Sequence, residues 1–228
     1  MTDERKFCFV LSVNNEAVFD IALQHIRQLV IPPGYSVDYS KITGSQGLAY
    51  AYNTAMHSSN AKYKIYMHQD VLLLNRNFLI DLLRIFSSDS ELGMIGVVGA
   101  RNIPRNGVWW ESAEKIGKVL ENRGLFAYLQ FEDFFSGESV VPVDAIDGLL
   151  MATQYDVPWR EDLFTGWHFY DVSQSLEFKR RGYKVGIPSQ VAPWCLHFMG
   201  REHRFDLQAY NYYRDIFLRN YIEFMEVH

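Results

Sequence analysis

The sequence predicts an α/β fold: a mostly parallel central sheet flanked by helices, with a further helix at the C-terminus. Three observations predict it. Through the first hundred residues, apolar runs of strand length alternate with segments whose apolar residues recur every three or four positions. Alternation of that kind means strands joined by helical crossovers. Polar breaks follow two of the runs, at Asn14-Asn15-Glu16 and His68-Gln69-Asp70, and the carboxyl ends of strands are where open α/β sheets bind ligands. Finally, 228 residues with 48% hydrophobic and 21% charged content are enough to bury one substantial core.

Residues 7–13, FCFVLSV, make the first strand. Val18, Ile21, Ala22, His25, Ile26 and Leu29 then share one helical face, which Ile31-Pro32-Pro33-Gly34 ends. His25 on that face reads as a core or boundary histidine. Residues 35–42 read as a second strand, 43–47 as a turn and 48–58 as a short helix rich in Ala and Tyr. Ile65-Tyr66-Met67 is a buried third strand that breaks at His68-Gln69-Asp70. Phe78, Leu79, Leu82, Leu83 and Phe86 mark the next helix, which Asn75 or Asn77 can cap. Residues 93–100, GMIGVVGA, are a fourth strand.

Residues 101–139 carry Gly107, Trp109, Trp110, Gly124 and Phe134-Phe135-Ser136-Gly137 and read as loops and short elements. Residues 140–145 alternate as a strand, and 149–152 are apolar again. A helix is expected over 167–181 with Gly182 as its left-handed C-cap, then a strand over 183–187 stopped by Pro188. Residues 191–199 hold Trp194, Cys195 and His197. The tail, 205–227, reads as a helix with an aromatic stripe of Tyr210, Tyr213, Phe217, Tyr221 and Phe224. Core packing is the first reading of such a stripe; a homodimer through this helix is the other.

A formal charge of −5 and the lack of a basic tract exclude a general nucleic-acid binder. Cys8 and Cys195 lie far apart among apolar neighbours and read as buried free thiols, which favours a reducing compartment. The N-terminus is not signal-like, and no uncharged apolar run reaches the ~18 residues of a membrane span. The expected location is cytoplasmic, with peripheral contact at the inner face of the membrane as the further possibility.

Three carboxylates stand at breaks between elements, Asp70, Asp147 and Asp171, and His197 follows the last strand-like run. Asp and His together suit a divalent cation. One carboxylate and one imidazole are too few for a closed site, but they fit a metal whose other ligands are phosphate oxygens and water. The imidazole tilts the choice from magnesium towards manganese. Read alone, His197 is equally a hydrogen-bonded histidine at a strand end. No GxSxG, GxxxxGK[ST], CxxC or HExxH motif is present, so nothing suggests a covalent nucleophile.

The order of these pieces resembles the family 2 glycosyltransferases of the GT-A fold, more narrowly the subgroup typed by a streptomycin-biosynthesis glycosyltransferase. Val13-Asn14-Asn15-Glu16 is similar to the family's nucleotide-site segment, and residues 47–53, from Gly47 to Asn53, to the small-residue helix before the metal strand. His68-Gln69-Asp70 takes the place of the DxD motif, Asp144-Ala145-Ile146-Asp147-Gly148 looks like the acceptor-side segment, and residues 164–185 resemble the segment that carries an acidic pair, a helix and RxGY. Residues 194–200 resemble the stretch with the C-terminal metal histidine.

The resemblance implies a nucleotide-diphosphate sugar donor bound through Asn14, Glu16, Gly47, Asn53, Gln69 and Asp70. It implies Mn²⁺ or Mg²⁺ on Asp70 and His197, and Asp171 as the base of an inverting transfer. It also implies a carbohydrate or lipid-linked acceptor at Asp147, Gly148, Trp110 and Trp167. One catalytic domain over 1–204 is expected, with a nucleotide-sugar half (1–100) and an acceptor half (101–204), and the 205–228 helix packed on it. The chain departs from the pattern at His68, in the first DxD position, and at Tyr170, in place of the acidic residue before the base. These departures motivate one alternative, an inactive sugar-nucleotide binder. A sugar nucleotidyltransferase is the other, although Asn14-Asn15-Glu16 stands where such enzymes carry a Gly-rich basic loop.

Overall fold

A computed structural model describes residues 1–122, 126–131, 139–198 and 206–225. Strand β1 (Asp3–Val13) is buried without a break from Phe7 to Leu11. A strand apolar on both faces must be covered on both, so it sits inside the sheet, with β2 (Ser36–Thr43) and β3 (Ala61–Met67) parallel on either side. The seven-stranded sheet runs β2–β1–β3–β11–β5–β12–β9. Here β5 is Leu92–Gly96, β9 Val140–Pro142, β11 Leu150–Thr153 and β12 Lys184–Pro188. Strand β11 runs antiparallel to both of its neighbours, and β9 is antiparallel to β12; the other strands share one direction. The sheet is therefore mostly parallel, as the alternation predicts.

Helix α1 (Glu16–Arg27) is capped by Asn15, whose side chain accepts from Val18 N at 3.3 Å. Its buried face is Phe19, Ala22, Leu23 and Ile26, while Ile21 is exposed. The core face is thus rotated from the one read off the sequence, because Phe19 outcompetes Ile21 for burial. His25 takes its boundary place, with Nδ1 2.8 Å from Leu73 O. Helix α2 (Leu48–Ser58) packs on β1 and β2. Helix α3 (Phe78–Ser88) has Asn77 at its N-cap, yet neither asparagine caps it through a side chain. Asn75 instead accepts from Asn77 N and donates to Asp81.

The run 93–100 is not one strand. It divides at Val97 into β5 and β6 (Val98–Ala100), which belong to different sheets. The second sheet has order β10–β6–β7–β13–β4, with β8 (Phe126–Gln130) paired to β7. Its members are β4 (Val71–Leu73), β7 (Lys115–Asn122), β10 (Ala145–Ile146) and β13 (Cys195–His197). The stretch expected to be loops thus contains the β7–β8 hairpin. Alternation along β7 is broken at Gly117, whose φ of +106° and contact with Val97 O leave no room for a side chain. The strand expected over 140–145 is likewise two short ones, β9 and β10, in separate sheets. Phe134-Phe135-Ser136-Gly137 and Gly124 lie outside the described residues.

Helix α4 is shorter than expected, Tyr170–Arg180, and Gly182 follows it with φ +82°. Helix α5 (Leu207–Tyr221) is capped by Asp206 and ends in a 3₁₀ turn, Ile222–Phe224. Its aromatic stripe turns inward: Phe217 meets Phe169 at 5.1 Å, Tyr221 meets Phe164 at 6.4 Å, and the Tyr221 hydroxyl donates to Glu177 at 2.9 Å. The chain's own core takes up the stripe, so it gives no argument for a dimer. Cys8 and Cys195 are buried free thiols. No helix among the described residues is long and apolar enough to cross a membrane.

Candidate active site

Strand β3 ends at Met67, and the chain turns at once: Val71 N donates to His68 O at 3.2 Å, and β4 begins. Strand β13, more than a hundred residues later, pairs antiparallel with β4 in a register that sets His197 opposite Val71. Phe198 N then donates to Asp70 O at 2.8 Å. This register carries His197 Nε2 to 3.6 Å from Asp70 Oδ1. His68 joins them, so that ligand atoms of His68, Asp70 and His197 all lie within 4.8 Å of one another. Ligands bonded at 2.0–2.2 Å to one ion lie roughly 3–3.6 Å apart at the usual angles. The Asp70–His197 spacing fits a divalent cation as it stands.

The parallel pairing of β13 with β7 sets Glu121 beside His197. Its Oε1 is 3.9 Å from His197 Nδ1, a buried atom with no hydrogen bond. Burial works against a charge on His197, but Asp70 and Glu121 outweigh it and push the imidazole up to about 10. Burial likewise raises the Asp70 carboxyl, but the neighbouring His197 and His68 imidazoles hold it below the usual carboxylate range.

The second half of the site is built by strand β11. Its insertion beside β3 gives a hydrogen bond from His68 N to Leu149 O at 3.0 Å, which lays Asp147-Gly148-Leu149 against the His68 turn. Helix α4 meets the same place. Its N-cap, Phe169, has φ +62°, the one positive φ outside glycine among the described residues. A bulky residue adopts that conformation only where its surroundings over-determine it. Here the rings of Tyr210 and Phe217 hold Phe169 at 4.9 and 5.1 Å. The bend delivers Tyr170 and Asp171 into the cleft. The Tyr170 hydroxyl lies 2.6 Å from His68 Nε2, and Asp171 Oδ2 accepts from Gly148 N at 2.9 Å. Burial, and then the nearby Asp147 charge, push the Asp171 carboxyl up to about 7. Burial raises Asp147 as well, although its Oδ1 accepts from Leu149 N at 2.8 Å.

A cavity of about 330 Å³ opens beside these carboxylates, lined by Trp109, Trp110, Glu121, Phe131, Asp147 and Leu149 among others. Trp109 is core, whereas Trp110 is 43% exposed and its ring lies 5.2 Å from that of Tyr210. Trp167 is also exposed, on the loop before α4 and not within the helix as expected. Gly148 has no room for a side chain, since a Cβ would stand 2.0 Å from the Tyr170 hydroxyl.

The donor-side candidates divide. Gln69 Oε1 accepts from Asn14 N and Asn15 N at 3.1 and 3.0 Å, and Gln69 Nε2 donates to Asn14 Oδ1. Gln69 therefore ties the His68–Asp70 turn to the loop after β1. Glu16 is exposed and paired with Lys41 at 2.5 Å. Gly47 opens α2 in extended backbone and faces the 165–166 loop so closely that a Cβ would stand 2.3 Å from Thr165 O.

Asn53 is buried, and its amide closes a two-bond clamp on the main chain of Trp159: Nδ2 donates to the carbonyl at 2.9 Å and Oδ1 accepts from the N–H at 2.8 Å. With both ends engaged it ties α2 to the Trp159 loop. Asn53→Ala strands both main-chain groups and is expected to lower stability by about 1–3 kcal/mol. The midpoint of denaturant unfolding measures this, and donor affinity of the folded fraction should not change. His68, Tyr170 and Glu121 were absent from the site read off the sequence. His68, two residues before Asp70, and Tyr170, next to Asp171, carried a local signal; Glu121 carried none.

No curated protein matches the chain. Among solved structures, a mannosyltransferase from Pyrobaculum calidifontis in complex with GDP-Man and Mn²⁺ is similar at TM-score 0.55 and 13% identity, over 87% of this chain and 58% of that one. S. aureus TarS 1-349 is similar at TM-score 0.54 and 11% identity, over 85% and 60%. Its complex with UDP-GlcNAc is similar at 0.56 and 12%, over 87% and 60%. The chain thus spans about three fifths of the length of these proteins. They share its fold, which is GT-A. A profile of the Glycosyltransferase like family matches residues 8–221, and the chain belongs to that family.

Proposed function

We propose that the protein transfers a sugar from a nucleotide-diphosphate sugar to an acceptor hydroxyl with inversion, and that Asp171 is the base. The observation that carries this reading is one junction. Tyr170 bonds to His68 in the cation-binding cluster, and the next residue, Asp171, presents a carboxyl pushed up to about 7. A base near neutrality is suited to accept a hydroxyl proton in the transition state. Asp70 and His197 have the spacing and chemistry to hold Mn²⁺ or Mg²⁺. Such an ion, when bound, supplies Lewis-acid stabilisation of the departing diphosphate.

The acceptor hydroxyl loses its proton to Asp171 as its oxygen bonds to the anomeric carbon. The bond from that carbon to the diphosphate oxygen breaks on the opposite face. No glycosyl-enzyme intermediate is needed, which fits the lack of a nucleophile motif. We assign the acceptor, a carbohydrate or a lipid-linked sugar, to the 330 Å³ cavity. Asp147 there offers hydrogen bonds, and Trp110 offers a ring for stacking. We also assign Gly148, next to Asp147, and the exposed Trp167 to the acceptor side. Asn14, Glu16, Gly47 and Gln69 belong to the donor side, the first and last as a mutually bonded loop clamp. The order of its motifs supports a likeness to the subgroup typed by the streptomycin-biosynthesis enzyme, and the buried thiols fit a reducing, cytoplasmic site of action.

Calorimetric titration with UDP, GDP, CDP and dTDP and their sugars, each with and without Mn²⁺, tests the donor. Tight binding of one nucleotide that needs the metal is the expected result. If none binds, the transfer reading falls and an inactive relative replaces it.

A further inference from the structure

We propose that His68 is a third ligand of the cation, positioned by Tyr170, and that this pair makes the site select manganese or a similar transition ion over magnesium. The proposal rests on the metal-dependent reading above and deepens it. Three observations carry it. A ligand atom of His68 shares the 4.8 Å cluster with Asp70 and His197. One ring nitrogen of His68 is 2.6 Å from the Tyr170 hydroxyl. That hydroxyl cannot move aside: Gly148 packs against it too tightly for a Cβ, and the rings of Tyr52 and Trp159 stand 5.9 and 6.3 Å from the Tyr170 ring. A fixed outer-shell partner of this kind sets the orientation of a ligating imidazole. Two positions at which the chain departs from the pattern it resembles are thus bonded to each other, across 102 residues of sequence.

The choice of ligand alters the chemistry of the site. Magnesium takes oxygen ligands almost exclusively and gives up water reluctantly, while imidazole suits the later first-row ions. With His68 included, the protein offers two imidazoles and one carboxylate. Asp70 is then the only anion among the three. A divalent ion held there keeps a net positive charge towards a diphosphate, which a second carboxylate at position 68 would cancel.

The test is electron paramagnetic resonance of Mn²⁺ added to the full chain, alone and with GDP or UDP, with Mg²⁺ as competitor. Nitrogen couplings from two histidines are expected in the spin-echo modulation of wild-type protein, and from one in His68→Gln. His68→Asp should bind both ions and lose at least about tenfold in preference for Mn²⁺, and Tyr170→Phe should weaken Mn²⁺ binding about tenfold with little change for Mg²⁺. Circular dichroism melts identify any variant that fails to fold, and the wild-type coupling count needs no variant. A single histidine coupling in wild type, or Mn²⁺ affinity unchanged in His68→Gln while Asp70→Ala abolishes it, overturns the role of His68 and leaves the metal reading standing. Mn²⁺ binding indifferent to Asp70→Ala, or no binding at all, overturns both.

Discussion

Asp171→Asn is expected to lower the transfer rate by about 10²–10⁴-fold, the usual contribution of a positioned base, while nucleotide-sugar affinity stays at the wild-type level. Asparagine has the shape of aspartate, and its amide oxygen can still accept from Gly148 N, which Asp171 does at 2.9 Å. The helix start, the strained Phe169 and the Tyr170–His68 bond therefore persist, and only the proton acceptor is removed. The pH dependence gives an independent check. A base must be ionised to act, and this carboxyl is pushed up to about 7, chiefly by burial and then by Asp147. Wild-type turnover should fall as pH drops from 8 to 6, and the residual turnover of the variant should lack that limb. Stability carries the opposite sign. A carboxyl that titrates at about 7 when folded, against an ordinary 3.8, favours folding fully below pH 4 and loses that contribution as pH rises through 7. Asp171→Asn should therefore melt higher than wild type at pH 8, with the gap closing towards pH 4. Full turnover in Asp171→Asn would remove it as base and make Asp147 the next carboxylate to test.

The parts of this site that were legible in the sequence are those fixed by local pattern. Apolar runs such as FCFVLSV make strands wherever they lie in the fold, and a polar break at the carboxyl end of a strand puts Asp70 at a ligand edge on topology alone. Asp171 was singled out at a break between elements, and its role as base came from the resemblance alone. What could not be read was non-local pairing. The short run 149–152 leaves its direction open, and only the structure sets β11 antiparallel between β3 and β5. That insertion brings Gly148 against Asp171. The β7–β8 hairpin was hidden by Gly117, whose close contact with Val97 O breaks the alternation. Glu121, buried on that hairpin beside His197, was hidden with it. The partner of Asn53 was hidden for a related reason. A small-residue helix with an asparagine gives no sign of where the amide points, and here it points inward to a loop 106 residues away.

Asp70→Asn is expected to weaken donor binding in the presence of Mn²⁺ by roughly 100-fold or more, the several kcal/mol of charge stabilisation that a bound ion supplies. Without metal, variant and wild type should bind the nucleotide equally weakly. The argument turns on charge and on register. Among His68, Asp70 and His197, the Asp70 carboxylate is the single anionic oxygen, and it is held ionised: the neighbouring His197 and His68 imidazoles more than offset the rise that burial causes. An amide there is neutral and a poor ligand, so the two imidazoles would face the cation without a countercharge. The strand pairing should survive, because the link from Phe198 N to Asp70 O is made by the main chain. Loss of binding can then be assigned to the ligand and not to the fold, as an unchanged melting temperature without metal would verify. Binding that stayed tight and metal-dependent in Asp70→Asn would mean that the diphosphate brings its cation to some other carboxylate. Asp147, the other half-buried acid beside the cluster, would be the one to exchange next.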